Sequence, residues 1–196
     1  LTKLTYKKNV YLLSDEVMSK IVYDTAKWYG PSLENRNVVV VSSFSKTWFV
    51  PGIRLGWMAT KNVELIQKCN DAIVNQSVGV NLFSQLLMTY ACQKINYAGF
   101  LQKRFDILVH RKNLVKNLLN KYGIGYLQNI EGGMNYYIDL KKDSSKIALE
   151  LFQKYKIALI PGELFEGRKS TFARFGFGAV KKEEIIKGIN VLAQEL

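Results

Sequence analysis

The chain has 196 residues, 48% hydrophobic and 12% aromatic, enough to bury one large core or two small ones. With three prolines and no Ser/Gly-rich tract it shows no disordered linker, and no apolar run nears the roughly 20 residues that cross a bilayer. The net charge of +12 invites an anionic partner, but the lysines are scattered in ones and twos (Lys7–Lys8, Lys141–Lys142, Lys181–Lys182) among acids, unlike a nucleic-acid-binding patch.

No strand or helix is expected before residue 9, and the basic start precedes an apolar patch too short for a secretory signal. "NVYLLSDEV" (9–17) reads as a short strand. "NVVVVSS" (37–43) is a second, apolar on both faces as in a mostly parallel sheet covered by helices. "RLGWMAT" (54–60) is a third. Helices follow over 61–75, with Asn62 as cap and Val63, Ile66 and Ile73 at helical spacing, and over 81–95. A long helix over 100–123 carries the stripe Leu101, Phe105, Leu108, Leu114, Leu118 and Leu119 and stops at Gly123. Beyond it, "MNYYIDL" (134–140), "IALIPG" (157–162) and "FARFGF" (172–177) read as strands. Segments 144–156 and 181–196 read as amphipathic helices. The expected organisation is an α/β unit over 1–100, a linking helix over 101–123 and a small α+β domain over 124–196. Cys69 and Cys92 lack CxxC spacing and read as reduced thiols, with the cytoplasm as the default compartment.

The stretch "VVVVSSFSKTWFVPGIRLGW" (38–57) runs a buried strand into Ser42, Ser43, Ser45 and Lys46. A lysine at such a place is where a desolvated, nucleophilic amine would be put, and a solvated lysine just past a strand is the plain alternative. Asp15 and Glu16 follow an apolar strand, where a carboxylate pairs with a cation or serves as a cap. Arg174 stands among Phe172, Phe175 and Phe177, which suggest a largely buried segment, and a buried arginine needs an anion, either an internal carboxylate or a ligand. Gly162 and Gly167 punctuate a loop, and His110 sits on a charged helix face. Trp48, Phe49 and Trp57 give the lysine apolar neighbours of the kind that usually serve packing. No cluster with metal-ligand spacing stands out.

Taken in order, "SDEV", "SSFSK" with Arg54 eight residues past the lysine, "EGGMNYYIDL", "PGELF" and "ARFGF" resemble the fold-type I, class I/II aminotransferases, which use pyridoxal 5′-phosphate (PLP). The resemblance runs from about residue 9 to the C-terminus. It implies that Lys46 is the Schiff-base lysine, which also shuttles the proton at the substrate Cα. Asp15 would keep the pyridine nitrogen protonated, Ser43 and Arg54 would hold the cofactor phosphate, and Arg174 would clamp the substrate carboxylate. It further implies the end of a PLP-binding large domain followed by a small domain, amino-acid and 2-oxo-acid substrates, and a homodimer in which "SVGVNLFSQ" (77–85) lies near the neighbouring subunit's site.

The chain departs from the family pattern twice. Met18 stands three residues after Asp15, where the family commonly has a tyrosine donating to the cofactor 3′-oxygen, and a thioether cannot donate. The length is about half that of family members, and no counterpart is found for the glycine-rich phosphate turn, the ring-stacking aromatic or the asparagine of the missing N-terminal half. The chain therefore reads as a C-terminal half, not competent alone. A PLP-dependent C–S or β-lyase of the same fold is the alternative, favoured by Met18. A non-catalytic relative would have lost Lys46 or Arg174, and both are present.

Overall fold

Four consecutive valines give the first sheet its centre. In the computed structural model, which describes residues 1–23, 29–127 and 130–196, strand β2 (Val38–Ser43) buries Val38, Val39 and Val40 in succession. The strand also has a hydrogen-bonded neighbour on each edge, the sheet order being β1-β2-β3. Strand β1 (Leu12–Asp15) runs parallel to β2, with Leu12 opposite Val38 and Asp15 opposite Val41.

Strand β3 (Gly56–Thr60) runs antiparallel to β2, with Ser43 opposite Gly56 and Val39 opposite Thr60. The sheet is therefore mixed, not mostly parallel. The reason is the link over 44–55, which holds one helical turn, α2 (Phe44–Thr47), and a 3-10 turn over Pro51–Ile53. A parallel neighbour needs a crossover long enough to carry the chain back along the sheet, usually with a full helix.

A helix the sequence did not announce, α1 (Thr2–Lys8), precedes the sheet. It buries only Thr5, so no apolar stripe marks it. It ends where Asn9 turns left-handed (φ 51°), with Lys7 and Lys8 favourably placed at its C-terminus. Helix α3 (Val63–Ser77) begins as expected, the Asn62 side chain accepting the Leu65 N–H at 3.1 Å. Its apolar residues Val63, Ile66 and Ile73 nevertheless stay on the surface. Asn81 caps α4 (Leu82–Lys94) in the same way, accepting from Ser84 at 2.9 Å.

Contacts divide the chain into two compact units, Leu1–Gln102 and Lys103–Leu196. Helix α5 (Tyr97–Tyr122) buries Leu108, Val115 and Leu119, and Gly123 ends it at φ 64°. The second unit holds a four-stranded antiparallel sheet of order β4-β5-β7-β6. Its strands are β4 (Gly125–Tyr126), β5 (Asn135–Asp139), β6 (Ile160–Pro161) and β7 (Phe172–Gly176). The expected strand over 157–162 shrinks to two residues, because Pro161 has no N–H for a longer ladder and sits on an edge.

Period-two alternation sorts this sheet into two faces. Tyr136, Ile138, Ala173 and Phe175 point into the core, beside Phe177. Helix α6 (Ser144–Tyr155), capped by Asp143, adds Leu151, and α8 (Lys182–Glu195) adds Ile185, Ile189 and Leu192. Gly188 of α8 lies against the Phe175 ring. The opposite face carries Asn135, Tyr137, Phe172, Arg174 and Gly176, flanked by the short helix α7 (Glu163–Glu166).

Candidate functional site

In the first unit, strand direction gathers the sequence-predicted residues at one end of the sheet. Asp15 is the last residue of β1 and Ser43 the last of β2, and the two strands are parallel. Lys46 lies three residues past Ser43 on α2. Because β3 returns antiparallel from Gly56, opposite Ser43, Arg54 just before it comes to the same end. Ligands of α/β sheets bind at the carboxyl ends of parallel strands.

Local bonds fix these positions. The Glu16 N–H donates to the Val41 carbonyl at 2.8 Å. The Glu16 carbonyl accepts from the Ser42 hydroxyl at 3.2 Å and the Ser19 hydroxyl at 2.9 Å, tying the end of β1 to β2 and to the following turn. Asp15 uses one carboxylate oxygen to accept the Val17 N–H at 2.9 Å. The Ser43 carbonyl accepts the Thr47 hydroxyl at 2.7 Å, and the Phe44 N–H reaches the Leu55 carbonyl at 3.1 Å. Trp48 is buried at 8% exposure, its ring stacked 4.6 Å from Tyr97 and 5.8 Å from Phe100. This aromatic stack, with Tyr97 donating to the Thr47 carbonyl at 3.0 Å, braces the turn that carries Lys46. Burial pushes the Tyr97 phenol above its ordinary 10.0.

Gly56 is needed here: a Cβ on it would lie 2.9 Å from the Ser42 carbonyl. Arg54 adopts a left-handed φ of 52° and donates to the Pro51 carbonyl at 3.1 Å. Its other N–H groups have no partner among the described residues, and the Ser43 hydroxyl and Lys46 amine have none either. Met18 lies in the turn after β1, its carbonyl accepting the Ile21 N–H at 2.9 Å. The donor set thus suits a ring nitrogen (Asp15), a phosphate (Ser43, Arg54) and an aldehyde (Lys46).

Arg174 lies in the second unit, on β7. Phe175 and Phe177 are buried, but alternation sends Arg174 to the opposite face, where it is half-buried like Phe172. Its guanidinium stands 5.3 Å over the Phe165 ring and forms no ion pair among the described residues. A shallow cavity of about 360 Å³ opens there, lined by Asn135, Tyr136, Tyr137, Phe165, Glu166 and Arg174. Glu166 is engaged elsewhere. It accepts the Tyr137 hydroxyl and, at 2.9 Å, the Ser170 hydroxyl, and it lies 3.7 Å from Arg168. Those hydroxyls, Tyr137 first, hold its carboxyl below the ordinary 4.5. Sequence reading passed over Asn135, Tyr137 and Glu166. Alternation along "NYYID" could have put the first two on the face of Arg174, but only the fold brings Glu166 to them.

The profile of the aminotransferase class I and II family matches residues 1–192. The chain belongs to that family. Members of the family use pyridoxal phosphate. Among its relatives, the probable aspartate aminotransferase of Methanocaldococcus jannaschii is 26% identical over 99% of this chain and 52% of its own length. The aspartate aminotransferase of Thermotoga maritima is 27% identical over 90% of this chain and 45% of its own length. The crystal structure of an aromatic aminotransferase from Pyrococcus horikoshii superposes with a TM-score of 0.86, covering 99% of this chain and 53% of that one at 19% identity. The chain therefore spans about half the length of the curated relatives it matches. Among the described residues, no three His, Cys, Asp or Glu side chains form a metal-binding group, and no helix is long and apolar enough to cross a membrane.

Proposed function

We propose that this chain supplies the lysine-bearing part of a pyridoxal-phosphate-dependent transaminase of amino acids and 2-oxo acids. The observation that carries the reading is the convergence of Asp15, Ser43, Lys46 and Arg54 at one end of the first sheet. Pyridoxal phosphate, when bound, supplies the electron sink that stabilises negative charge at the substrate Cα. Lys46 holds the cofactor through its amine and, once released, moves the proton at the Cα. Asp15 keeps the ring nitrogen protonated. The Ser43 hydroxyl and the Arg54 guanidinium bind the phosphate, and Arg174 binds the substrate carboxylate.

The 196 residues are not competent by themselves, since the glycine-rich turn, ring-stacking aromatic and asparagine of the family site find no counterpart in them. The intact enzyme is a homodimer with segment 77–85 near the neighbouring subunit, and its thiols fit the reducing cytoplasm. One feature favours a second reading, a C–S or β-lyase of the same fold: Met18, whose thioether gives the cofactor 3′-oxygen no donor. Ammonia and a 2-oxo acid released from a single amino acid would mark the lyase, and exchange between an amino acid and a 2-oxo acid the transaminase.

Incubation with pyridoxal phosphate, borohydride reduction and peptide mapping test the site. The expected result is label concentrated on Lys46 and abolished by Lys46→Ala. Label spread thinly over the surface lysines would overturn the assignment.

A further inference from the structure

Asn135 faces Gly176 across the β5–β7 ladder, two pairs beyond Tyr137–Arg174 and on the same face. Side chains of Asn135 and Arg174 therefore stand diagonally on the same face, at a spacing of about 7–8 Å. Both line the 360 Å³ cavity. Because Gly176 has no side chain, nothing stands directly across from Asn135, and a Cβ there would come within 3.2 Å of the Asn135 Oδ1. The polar groups around the cavity differ in whether they are satisfied. Tyr137 and Ser170 both donate to Glu166, which also faces Arg168. Asn135, half-buried, has no side-chain hydrogen-bond partner among the described residues, and Arg174 has only the Phe165 ring.

An amide and a guanidinium left unsatisfied at this spacing define a place for one small anion. We propose that Asn135 is a second carboxylate-binding residue, donating its side-chain N–H to the oxygen of the substrate carboxylate that Arg174 leaves open. A carboxylate with a hydrogen bond of about 2.9 Å on each side fills the gap between them. Asn135 contributes no charge, so it adds direction to the clamp: with both donors engaged the carboxylate is held in one orientation. The inference rests on the reading of Arg174 as the carboxylate clamp.

The test is a titration of the isotopically labelled 196-residue chain followed by NMR, with 3-phenylpropionate as the probe and neutral 3-phenylpropionamide as its control. The Arg174 Nε–H and the Asn135 side-chain amide signals are expected to move together with the carboxylate, with one Kd, and neither with the amide. Asn135→Leu should weaken binding about tenfold, as for loss of one hydrogen bond to a charged group, with the Arg174 signal still responding. Asn135→Ser, which keeps a donor, should fall between, and the spectra themselves show whether each variant is folded. Movement of Arg174 alone, with affinity unchanged in Asn135→Leu, would overturn the role of Asn135 and leave the clamp standing. Movement of neither signal would overturn the clamp and Asn135 with it.

Discussion

Gly162→Ala probes the close approach of Gly162 to Tyr137, one of the residues that line the Arg174 cavity. Gly162 has ordinary right-handed angles, φ −62° and ψ −30°, so alanine meets no forbidden dihedral. Chain entropy alone would then make the substitution stabilising by roughly 0.4–1 kcal/mol. The surroundings oppose this. A Cβ would lie 2.6 Å from the Phe172 carbonyl and 2.6 Å from the Ser170 Oγ, and closest of all to the Tyr137 hydroxyl. The hydroxyls can swing away only by leaving Glu166. The carbonyl is held by the Gly162 N–H itself at 2.7 Å. Overpacking of this kind costs about 1–3 kcal/mol, which leaves a net destabilisation of roughly 1–2 kcal/mol. Native-state hydrogen exchange reads it locally: amides paired between β5 and β7 should exchange about 5–30-fold faster. Gly52→Ala is the control, because nothing lies within 4 Å of its Cβ position, and it should be neutral or mildly stabilising. Exchange in Gly162→Ala that is unchanged or slower would refute the packing argument.

Trp48→Ala should destabilise the first unit by about 3–5 kcal/mol, since the ring is buried against Tyr97 and Phe100. Thermal melting measures this, and labelling at Lys46 should fall in parallel because the same turn carries both residues. Glu166 predicts an acid dependence. Its folded-state pKa is depressed, mainly by the Tyr137 hydroxyl, so its contribution is present above the unfolded value of 4.5 and lost as pH falls through the lower folded value. Tyr137→Phe should shift this acid transition toward 4.5, followed through the Phe165 ring signals. The surface of α4 predicts association. Leu82, Phe83, Leu86 and Tyr90 are each at least 60% exposed, an apolar stripe larger than scattered surface residues require. Sedimentation of the 196-residue chain should depend on concentration, and Phe83→Asp with Leu86→Lys should remove the dependence.

Strong periodicity and strong punctuation made most elements legible. The valine run, the Asn62 cap and the Gly123 stop each fix a feature by local chemistry, and the structure has all three. Other features depend on tertiary balance. Helix α1 buries a single side chain, so its pattern has no apolar period to read. The direction of β3 follows from the length and coiling of the 44–55 link, not from the composition of "GWMAT". The phenylalanines near Arg174 do not share one environment: alternation puts Phe175 and Phe177 on the face away from it and leaves Phe172 on its own face.

That contrast of faces also shows how the two groups of proposed site residues differ in what they demand of the fold. Asp15, Ser43 and Arg54 sit where strands end or begin, so they need the strands to stop together and are less sensitive to which face a side chain takes. Arg174 and Asn135 lie within strands, where a slip of one residue would send both into the core. What prevents the slip is the opposite face: Ala173, Phe175 and Ile138 are buried against the helices and would all be expelled by it. The register of the proposed carboxylate clamp is thus enforced by apolar residues on the other face of the sheet. On the proposed role of Arg174, a charge placed at Ala173 or Ile138 should weaken carboxylate binding in an NMR titration as changing Arg174 itself would.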